Sequence, residues 1–417
     1  MDTGNETKKL VDHLFRHEAG KMIAILARLF GMKHIDLAED VVQDAFLKAM
    51  QTWAFENIPK HPAAWLMQVA KNKAIDLIRH KQYAVQYSKE LSLYLDNQSD
   101  ENLEDFFLEH EIADSQLRMI FACCHPSLGQ DDQLAFTLRT VSGFGAAEIA
   151  RALITSESVI QKRLYRAKQF LRQKNIQLEI PAGIDLDSRL ETVHTVIYLI
   201  FNEGYKSSWG DALIREELCE EALLMTRALT KSPVGNKESL ALYALMLFNA
   251  SRLEARFGPG GELLDLEEQD RSRWNQDLIQ LGMFSLNAAE GFPRSTYHCE
   301  ASIAGLHCSA PGFSSTNWRA IITLYKELLS MQPNPFVELN FAIALYYGHH
   351  KQEALDILHS LETQPFFSQY YLLHASLGRI YTMEGNGDLA KRYFTKTLGL
   401  TNSADEKAFI QRLMKKI

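Results

Sequence analysis

The clearest pattern in the chain is GFGAAEIARALITSESVIQKRLYRAKQFL, residues 143–171. Ile149 and Leu153 are spaced to share one face of a short first helix, and Thr155 or Ser156 suits the N-cap of a second helix. That second helix has a narrow apolar stripe formed by Ile160, Leu164, Ala167 and Leu171. The pattern predicts two helices joined by a tight turn, a geometry that can place the second helix in the major groove of DNA.

The polar side of this second helix favours DNA binding. Six basic residues and no acidic ones lie between Ser158 and Leu178, which suits an element in contact with a phosphate backbone. The side chains that project away from the stripe are Ser158, Lys162, Tyr165, Arg166 and Gln169, with Arg163 on the flank. A generic basic amphipathic helix on the protein surface is the alternative interpretation.

Another helix pair is predicted upstream. One apolar stripe is formed by Val42, Ala45, Phe46, Ala49 and Trp53, and Asp40, Gln43 and Asp44 lie outside it. After a proline-bounded loop, residues 63–79 place Gln68, Asn72, Asp76 and Arg79 on a face of their own. Amide and guanidinium groups on one face can contact base edges and phosphates, although each face alone could simply be solvated surface.

The whole chain predicts an all-α protein of several domains. Its 417 residues are too many for one compact core, and the patterned stretches have helical rather than strand period. No apolar run is long enough to span a bilayer and the N-terminus has no signal pattern, so we expect no membrane partner and a cytoplasmic location. The odd number of cysteines, five, predicts reduced thiols rather than a disulfide framework.

The formal net charge of −8 is unusual for a DNA-binding protein, but it is unevenly distributed. Residues 84–117 have a net charge of −8, whereas residues 118–175 have a net charge of +5. Because salt screens charges over roughly 8 Å, the local field matters more than the total. A basic segment behind an acidic linker is therefore compatible with DNA binding.

The two helical units together resemble regions two and four of the extracytoplasmic-function group of bacterial sigma factors. The matching stretches of the first unit are AEDVVQDAF at 38–46 and AWL at 64–66, followed by Asn72, Asp76 and Arg79. In the second unit they are EIA at 148–150 and RLYRA at 163–167. The resemblance covers about residues 10–175 and includes the order of the units and the acidic linker between them.

The resemblance implies roles for particular residues. It implies docking on the clamp helices of RNA polymerase by Asp40, Gln43 and Asp44. It implies contacts to the melted minus-ten promoter element by Asn57, Lys60, His61, Asn72 and Arg79. It also implies recognition of duplex minus-thirty-five DNA by Lys162, Arg163 and Arg166, to which we add Ser158 on the same face. The apolar surface around Leu134 to Val141 would then meet the polymerase flap.

The remaining 240 or so residues are helical again and end in a weak internal repeat. Ala342, Leu345, Ala354 and Leu358 recur 36 residues later as Gly378, Tyr381, Ala390 and Phe394. This spacing is close to the tetratricopeptide period, although an irregular helix pair is the alternative. The stretches at 198–205 and 244–252 resemble a sigma subgroup with a fused tetratricopeptide-like C-terminal domain, which implies regulation built into the chain.

No metal site, cofactor or enzyme activity is predicted. His298 and Cys299 are separated from His307 and Cys308 by nine positions, so a continuous helix would place the two pairs about 180° apart. No phosphate-binding loop, nucleophile elbow or catalytic triad is visible in the sequence. Asn202, Glu203, Arg252 and Arg256 could line a groove in the tail, but helix caps or structural ion pairs are the simpler interpretation.

We therefore predict an alternative sigma factor with four segments. Residues 1–95 would be region two, 96–111 an acidic linker, 112–177 the region-four helix-turn-helix, and 178–417 a helical regulatory domain. Its expected partners are core RNA polymerase, promoter DNA, and a protein or small-molecule ligand of the last domain. The alternatives are a helix-turn-helix regulator that does not recruit polymerase, and a tail that acts as a small-molecule enzyme or receptor.

Overall fold

The computed structural model describes residues 3–53, 58–79, 109–174, 176, 178–180, 184–206, 214–291, 293–401 and 403–417. Regular secondary structure in these residues is helical, with a single bridge between Phe257 and Leu263, so the predicted all-α fold is confirmed. Among the same residues, no helix is both long enough and apolar enough to cross a membrane. The chain forms two compact units, Met1–Gly235 and Asn236–Ile417.

The first unit contains nine helices in the part that is described. They are α1 (Thr3–Phe30), α2 (Ile35–Trp53), α3 (Pro62–Arg79), α4 (Glu109–Cys123), α5 (Gln130–Val141), α6 (Ala146–Ala152), α7 (Glu157–Gln173), α8 (Ile184–Tyr205) and α9 (Glu216–Lys231). A short 3-10 turn, Met32–His34, separates α1 from α2. Residues 80–108, which include most of the predicted acidic linker, lie outside the described residues.

The helices α1, α2 and α3 share one hydrophobic core. All five residues of the predicted α2 stripe are buried, and Phe46 packs edge-on against Phe15 with ring centroids 5.1 Å apart. Trp53 at the end of α2 contacts Trp65 of α3 with centroids 5.3 Å apart. Burial of each large side chain contributes roughly 1.5–3 kcal/mol, so this core fixes the outward orientation of the polar faces.

The helices α6 and α7 form the predicted helix-turn-helix. Ser156 is the N-cap of α7, and Ile160, Ala167 and Leu171 of the predicted stripe are buried while Leu164 is half-buried. At the end of α4, the thiols of Cys123 and the next residue, Cys124, are also buried, and burial raises the pKa of Cys123 to about 12. The chain's five cysteines are free thiols, as the sequence predicts.

The second unit also contains nine described helices. They are α10 (Lys237–Ala250), α11 (Gln276–Ala288), α12 (Thr296–Ser309), α13 (Trp318–Met331), α14 (Pro335–Tyr347), α15 (Lys351–Glu362), α16 (Tyr371–Met383), α17 (Gly387–Leu400) and α18 (Ala404–Met414). The starts of α14 and α15 recur 36 residues later as the starts of α16 and α17, which matches the repeat read from the sequence. A Cβ at Gly378 would lie 2.7 Å from the Phe394 ring, so the repeat needs a small residue there.

The structure agrees with the predicted positions of His298 and His307, but the segment after residue 178 packs differently from the prediction. The helix α12 is continuous from Thr296 to Ser309, so His298 and His307 lie on opposite sides of it as expected. The segment after residue 178, predicted as part of a separate domain, begins with α8 and α9, which pack inside the first compact unit. The predicted boundaries at 95, 111 and 177 stay predictions, because a sequence domain and a packing unit need not coincide.

Candidate polymerase and promoter interfaces

The first candidate interface is the outer side of α2. Asp40 and Gln43 are exposed there, one turn apart, between the buried residues of the stripe. Asp44 is partly exposed and forms an ion pair with Lys73 of α3. The three predicted polymerase-docking residues therefore share one side of α2, which the buried stripe holds in a fixed orientation.

The second candidate interface lies at the start and on the outer face of α3. Lys60 and His61 are exposed just before the helix begins. Asn72 is exposed on the helix, and its Oδ1 accepts a hydrogen bond from Gln68 Nε2 at 2.9 Å. Asn57 and the side chain of Arg79 lie outside the described residues. The structure thus brings together three of the five predicted minus-ten contacts on or beside one helix.

The third candidate interface is the outer face of α7. Ser158, Lys162 and Arg166 are exposed, and 62% of the Arg166 side chain is accessible. Arg166 donates two hydrogen bonds to Asp132 of α5, at 3.0 and 2.6 Å. These bonds raise the pKa of the Arg166 guanidinium.

Arg163 on the same helix is largely covered and pairs with Asp131. Sequence reasoning missed both acidic partners. Asp131 and Asp132 are adjacent residues in the first turn of α5, where carboxylates are common because they interact favourably with the helix dipole. Their presence in the sequence therefore did not indicate that they pair with arginines of α7.

The C-terminal half of α7 contacts the region-two part of the unit. Lys168 Nζ lies 2.6 Å from Glu39 Oε2 and 3.2 Å from Asp36 Oδ1, and both carboxylates belong to α2. Arg172 Nε donates to Asp36 Oδ2 at 2.7 Å, and this hydrogen bond is the main reason why the pKa of Asp36 lies below its usual value. The helices α7 and α2 are therefore joined by ion pairs among four charged side chains.

A close approach between α1 and α5 lies next to this contact. A Cβ at Gly20 of α1 would lie 1.7 Å from the Val141 carbonyl oxygen, so the two backbones could not approach as they do with any larger residue. A cavity of about 190 Å³ opens beside them, and its lining includes Gln43 of α2 and Tyr165 of α7. One of the predicted docking residues thus borders the cleft between the region-two and region-four helices.

The segment after residue 184 covers the other side of the region-four helices. Arg189 of α8 donates to the Phe121 carbonyl of α4 at 3.1 Å, and Gln116 Nε2 donates to Glu221 of α9 at 2.9 Å. Arg215 forms a buried ion pair with Glu148 of α6, at 3.2 Å, in which each side chain is less than a tenth exposed. The first two tail helices are therefore part of the same packed unit as the helix-turn-helix.

The buried carboxyl group of Glu221 should make the stability of the first unit depend on pH. Burial raises the pKa of this carboxyl group to about 7, whereas an exposed Glu titrates near 4.5. Between these values the folded chain holds a proton that the unfolded chain has lost, so this group's contribution to stability falls as pH rises from about 4.5 to about 7. We expect Glu221→Gln, which keeps the acceptor for Gln116, to stabilise the first unit by about 3 kcal/mol at pH 8 and to have little effect near pH 4.5.

The measurement is urea unfolding of both chains at several pH values, because the difference between them isolates this group from other titrating residues. Glu220→Gln, at an exposed position of α9, is the matched control. Parallel stability curves for Glu221→Gln and the unmodified chain would contradict the assignment.

The second unit has its own concave site. A cavity of about 280 Å³ is lined by residues of α13, α14 and α16 and by the segment that holds Asp265 and Glu267. Trp318 and Tyr347 stack with ring centroids 4.9 Å apart on its wall, and Arg379 pairs with both carboxylates. Arg379, Asp265 and Glu267 therefore already have charged partners within the protein.

Three protein families match successive parts of the chain. Residues 14–83 match sigma-70 region 2, residues 118–171 match sigma-70 region 4, and residues 189–290 match a family of unknown function, DUF6596. The first two matches contain α2, α3 and the helix-turn-helix. The third match begins in α8 and ends after α11, so it spans the boundary between the two compact units.

Individual relatives agree with this division. An uncharacterized protein of Rhizobium meliloti is 34% identical over 93% of this chain and 92% of its own length. A probable RNA polymerase sigma factor of Haemophilus influenzae is 28% identical over 32% of this chain and 74% of its own length. No solved structure matches. The chain belongs to the sigma-70 family, as an alternative sigma factor that joins regions 2 and 4 to a fused DUF6596 segment.

Proposed function

We propose that three faces of the first unit carry the sigma activity. The outer side of α2 docks on core polymerase through Asp40, Gln43 and Asp44. The melted minus-ten strand is contacted by Asn57, Lys60, His61, Asn72 and Arg79. The duplex minus-thirty-five element is contacted by Ser158, Lys162, Arg163 and Arg166. The exposure of Asp40, Asn72 and Arg166 on helices whose apolar sides are buried supports these assignments most directly.

Polymerase docking is tested by removing the exposed polar groups of α2. We expect Asp40→Ala with Gln43→Ala to lower the amount of core polymerase that co-purifies with the chain by about tenfold, because two exposed groups at the interface are lost. Gln51→Ala, at another exposed position of α2, is the control. If the double variant binds core polymerase as the unmodified chain does, the docking assignment is wrong. Under the alternative, a helix-turn-helix regulator that does not recruit polymerase, neither the unmodified chain nor the double variant would co-purify with core polymerase.

Phosphate contact by α7 is tested through the salt dependence of promoter binding. We expect Arg166→Ala to weaken binding to promoter DNA and to lower the slope of log K against log salt by about one unit, since one released counterion is lost. Asp132→Asn should have the opposite effect on affinity, because it frees Arg166 from its carboxylate partner. Gln161→Ala on the same helix is the control, and an unchanged slope for Arg166→Ala would remove this residue from the interface.

We infer that the described arrangement of the first unit is a closed form. A compact unit of 235 residues has a radius of gyration of about 17 Å and is about 45 Å across. The minus-ten and minus-thirty-five elements are about 25 base pairs apart, or about 85 Å along B-form DNA. Region-two and region-four helices that contact each other cannot reach both elements of straight DNA at once. Promoter binding therefore requires separation of α7 from α2.

We propose that the fused segment controls this separation. The helices α8 and α9, with Arg215 just before α9, contact α4 and α6 through Arg189, Glu221 and Arg215. Glu217 of α9 also contacts His17 of α1, so the fused segment links helices of both regions and would stabilise the closed form. We propose that the aromatic cavity of the second unit receives the protein or small-molecule ligand that regulates the chain. We assign the whole chain a binding role and no covalent chemistry, because polymerase performs the reaction.

A further inference from the structure

Two histidines of α1 and one glutamate of α9 converge on the first unit's surface. His13 and His17 are four positions apart and so share one face of α1, with ring centroids 4.3 Å apart. His17 Nε2 lies 3.1 Å from Glu217 Oε1. One ligand atom from each of the three side chains lies within 4.8 Å of the other two, and no other trio of His, Cys, Asp or Glu in the described part of the chain is placed in this way.

This set of donors matches a transition-metal site. Zinc binds imidazole nitrogen at about 2.0–2.1 Å and carboxylate oxygen at about 2.0–2.2 Å, which places tetrahedral donor atoms about 3.4 Å apart. The present spacing needs only side-chain rotation to reach that value, since His13 is exposed and Glu217 is 39% accessible. Two imidazoles and one carboxylate also leave a fourth position open for water.

Nearby positive charges are already compensated. Two basic side chains, Arg215 and Lys21, lie near His17. Arg215 pairs with Glu148 at 3.2 Å and Lys21 pairs with Glu18 at 2.9 Å, so neither cation is left without a carboxylate partner. A bound divalent ion would therefore find the negative charge of Glu217 among its three ligands.

We propose that His13, His17 and Glu217 bind a divalent transition-metal ion, with zinc as the reference ligand. The site joins α1, where His17 lies within the sigma-70 region 2 match, to α9, which lies within the DUF6596 match. A metal bonded to both helices fastens the fused segment to region two. Metal binding consequently stabilises the compact form of the first unit, since only the folded chain brings the three ligands together.

The test is titration of the chelator-treated full chain with zinc chloride, followed by calorimetry and by thermal unfolding. We expect one zinc ion per chain and a rise in the unfolding temperature. We expect His13→Ala, His17→Ala and Glu217→Gln each to weaken zinc binding by about tenfold or more. His350→Ala, at an exposed histidine of the second unit, should leave the affinity unchanged and controls for adventitious surface binding.

Cobalt(II) provides a second readout that does not depend on stability. Its visible absorption bands should show low-coordinate nitrogen and oxygen ligation in the unmodified chain, and these bands should be lost in His17→Ala. If zinc binds with the same affinity to the three variants and to the unmodified chain, or does not bind with one-to-one stoichiometry, the site is refuted. Neither readout involves polymerase or DNA, so failure of the metal site and failure of the proposed promoter contacts are distinguishable.

Discussion

The Gly20→Ala chain should bind core polymerase about tenfold or more tightly than the unmodified chain. The added Cβ would lie 1.7 Å from the Val141 carbonyl oxygen, far inside van der Waals contact, so α1 and α5 must move apart. This movement separates the region-two and region-four helices and exposes the cleft that Gln43 borders. If the open form is a minor state populated at about 0.1–10%, making it dominant raises the apparent affinity by up to the inverse of that fraction, about 10- to 1,000-fold.

The measurement is equilibrium binding to core polymerase, with cooperative thermal unfolding as a check that the variant is folded. Gly129→Ala is the matched control, because a Cβ there meets nothing within 4 Å. Lys168→Glu is a second way to open the cleft, since it places a carboxylate against Asp36 and Glu39 without changing backbone packing. If both variants are folded and neither binds polymerase more tightly, the closed form does not limit docking.

The secondary structure was largely predictable from sequence because it depends on local periodicity. The five residues of the predicted apolar stripe of α2 recur with the helical repeat, and all five are buried. The turn between α6 and α7 was predictable from local sequence as well, since Ser156 occupies the N-cap position of the second helix just after the apolar spacing is interrupted. The 36-residue repeat predicted the helix pairs α14/α15 and α16/α17, because each pair needs the same small and large residues where its two helices touch.

The arrangement of these helices was not predictable from the same patterns. Lys168 and Glu39 are 129 positions apart, and Arg215 and Glu148 are 67 apart, so no local spacing links either pair. Surface charges occur on many helices, and only the folded structure shows which ones meet. The packing of α8 and α9 against region four was missed for this reason, although each helix was recognisable by itself.

Among the contacts between the fused segment and the helix-turn-helix, the buried ion pair of Arg215 and Glu148 should contribute most to stability. We expect Arg215→Met to destabilise the first unit by about 3–5 kcal/mol, because it leaves a buried carboxylate without its counter-charge. The Gly145 N–H also donates to Glu148, at 2.5 Å, but one neutral donor does not replace a guanidinium. Urea unfolding measures the loss, and Arg227→Met at an exposed position of α9 should change stability by less than about 0.5 kcal/mol.

Adding Glu148→Gln to Arg215→Met should restore part of the lost stability. The neutral amide can still accept the Gly145 hydrogen bond, whereas the cost of an unpaired buried charge disappears. Equal losses in the single and the double variant would show that Arg215 acts through packing on Phe144 rather than through its charge. If the charge is what matters, a chain truncated after Lys174 also leaves Glu148 unpaired. The fused segment would then be needed to fold the helix-turn-helix.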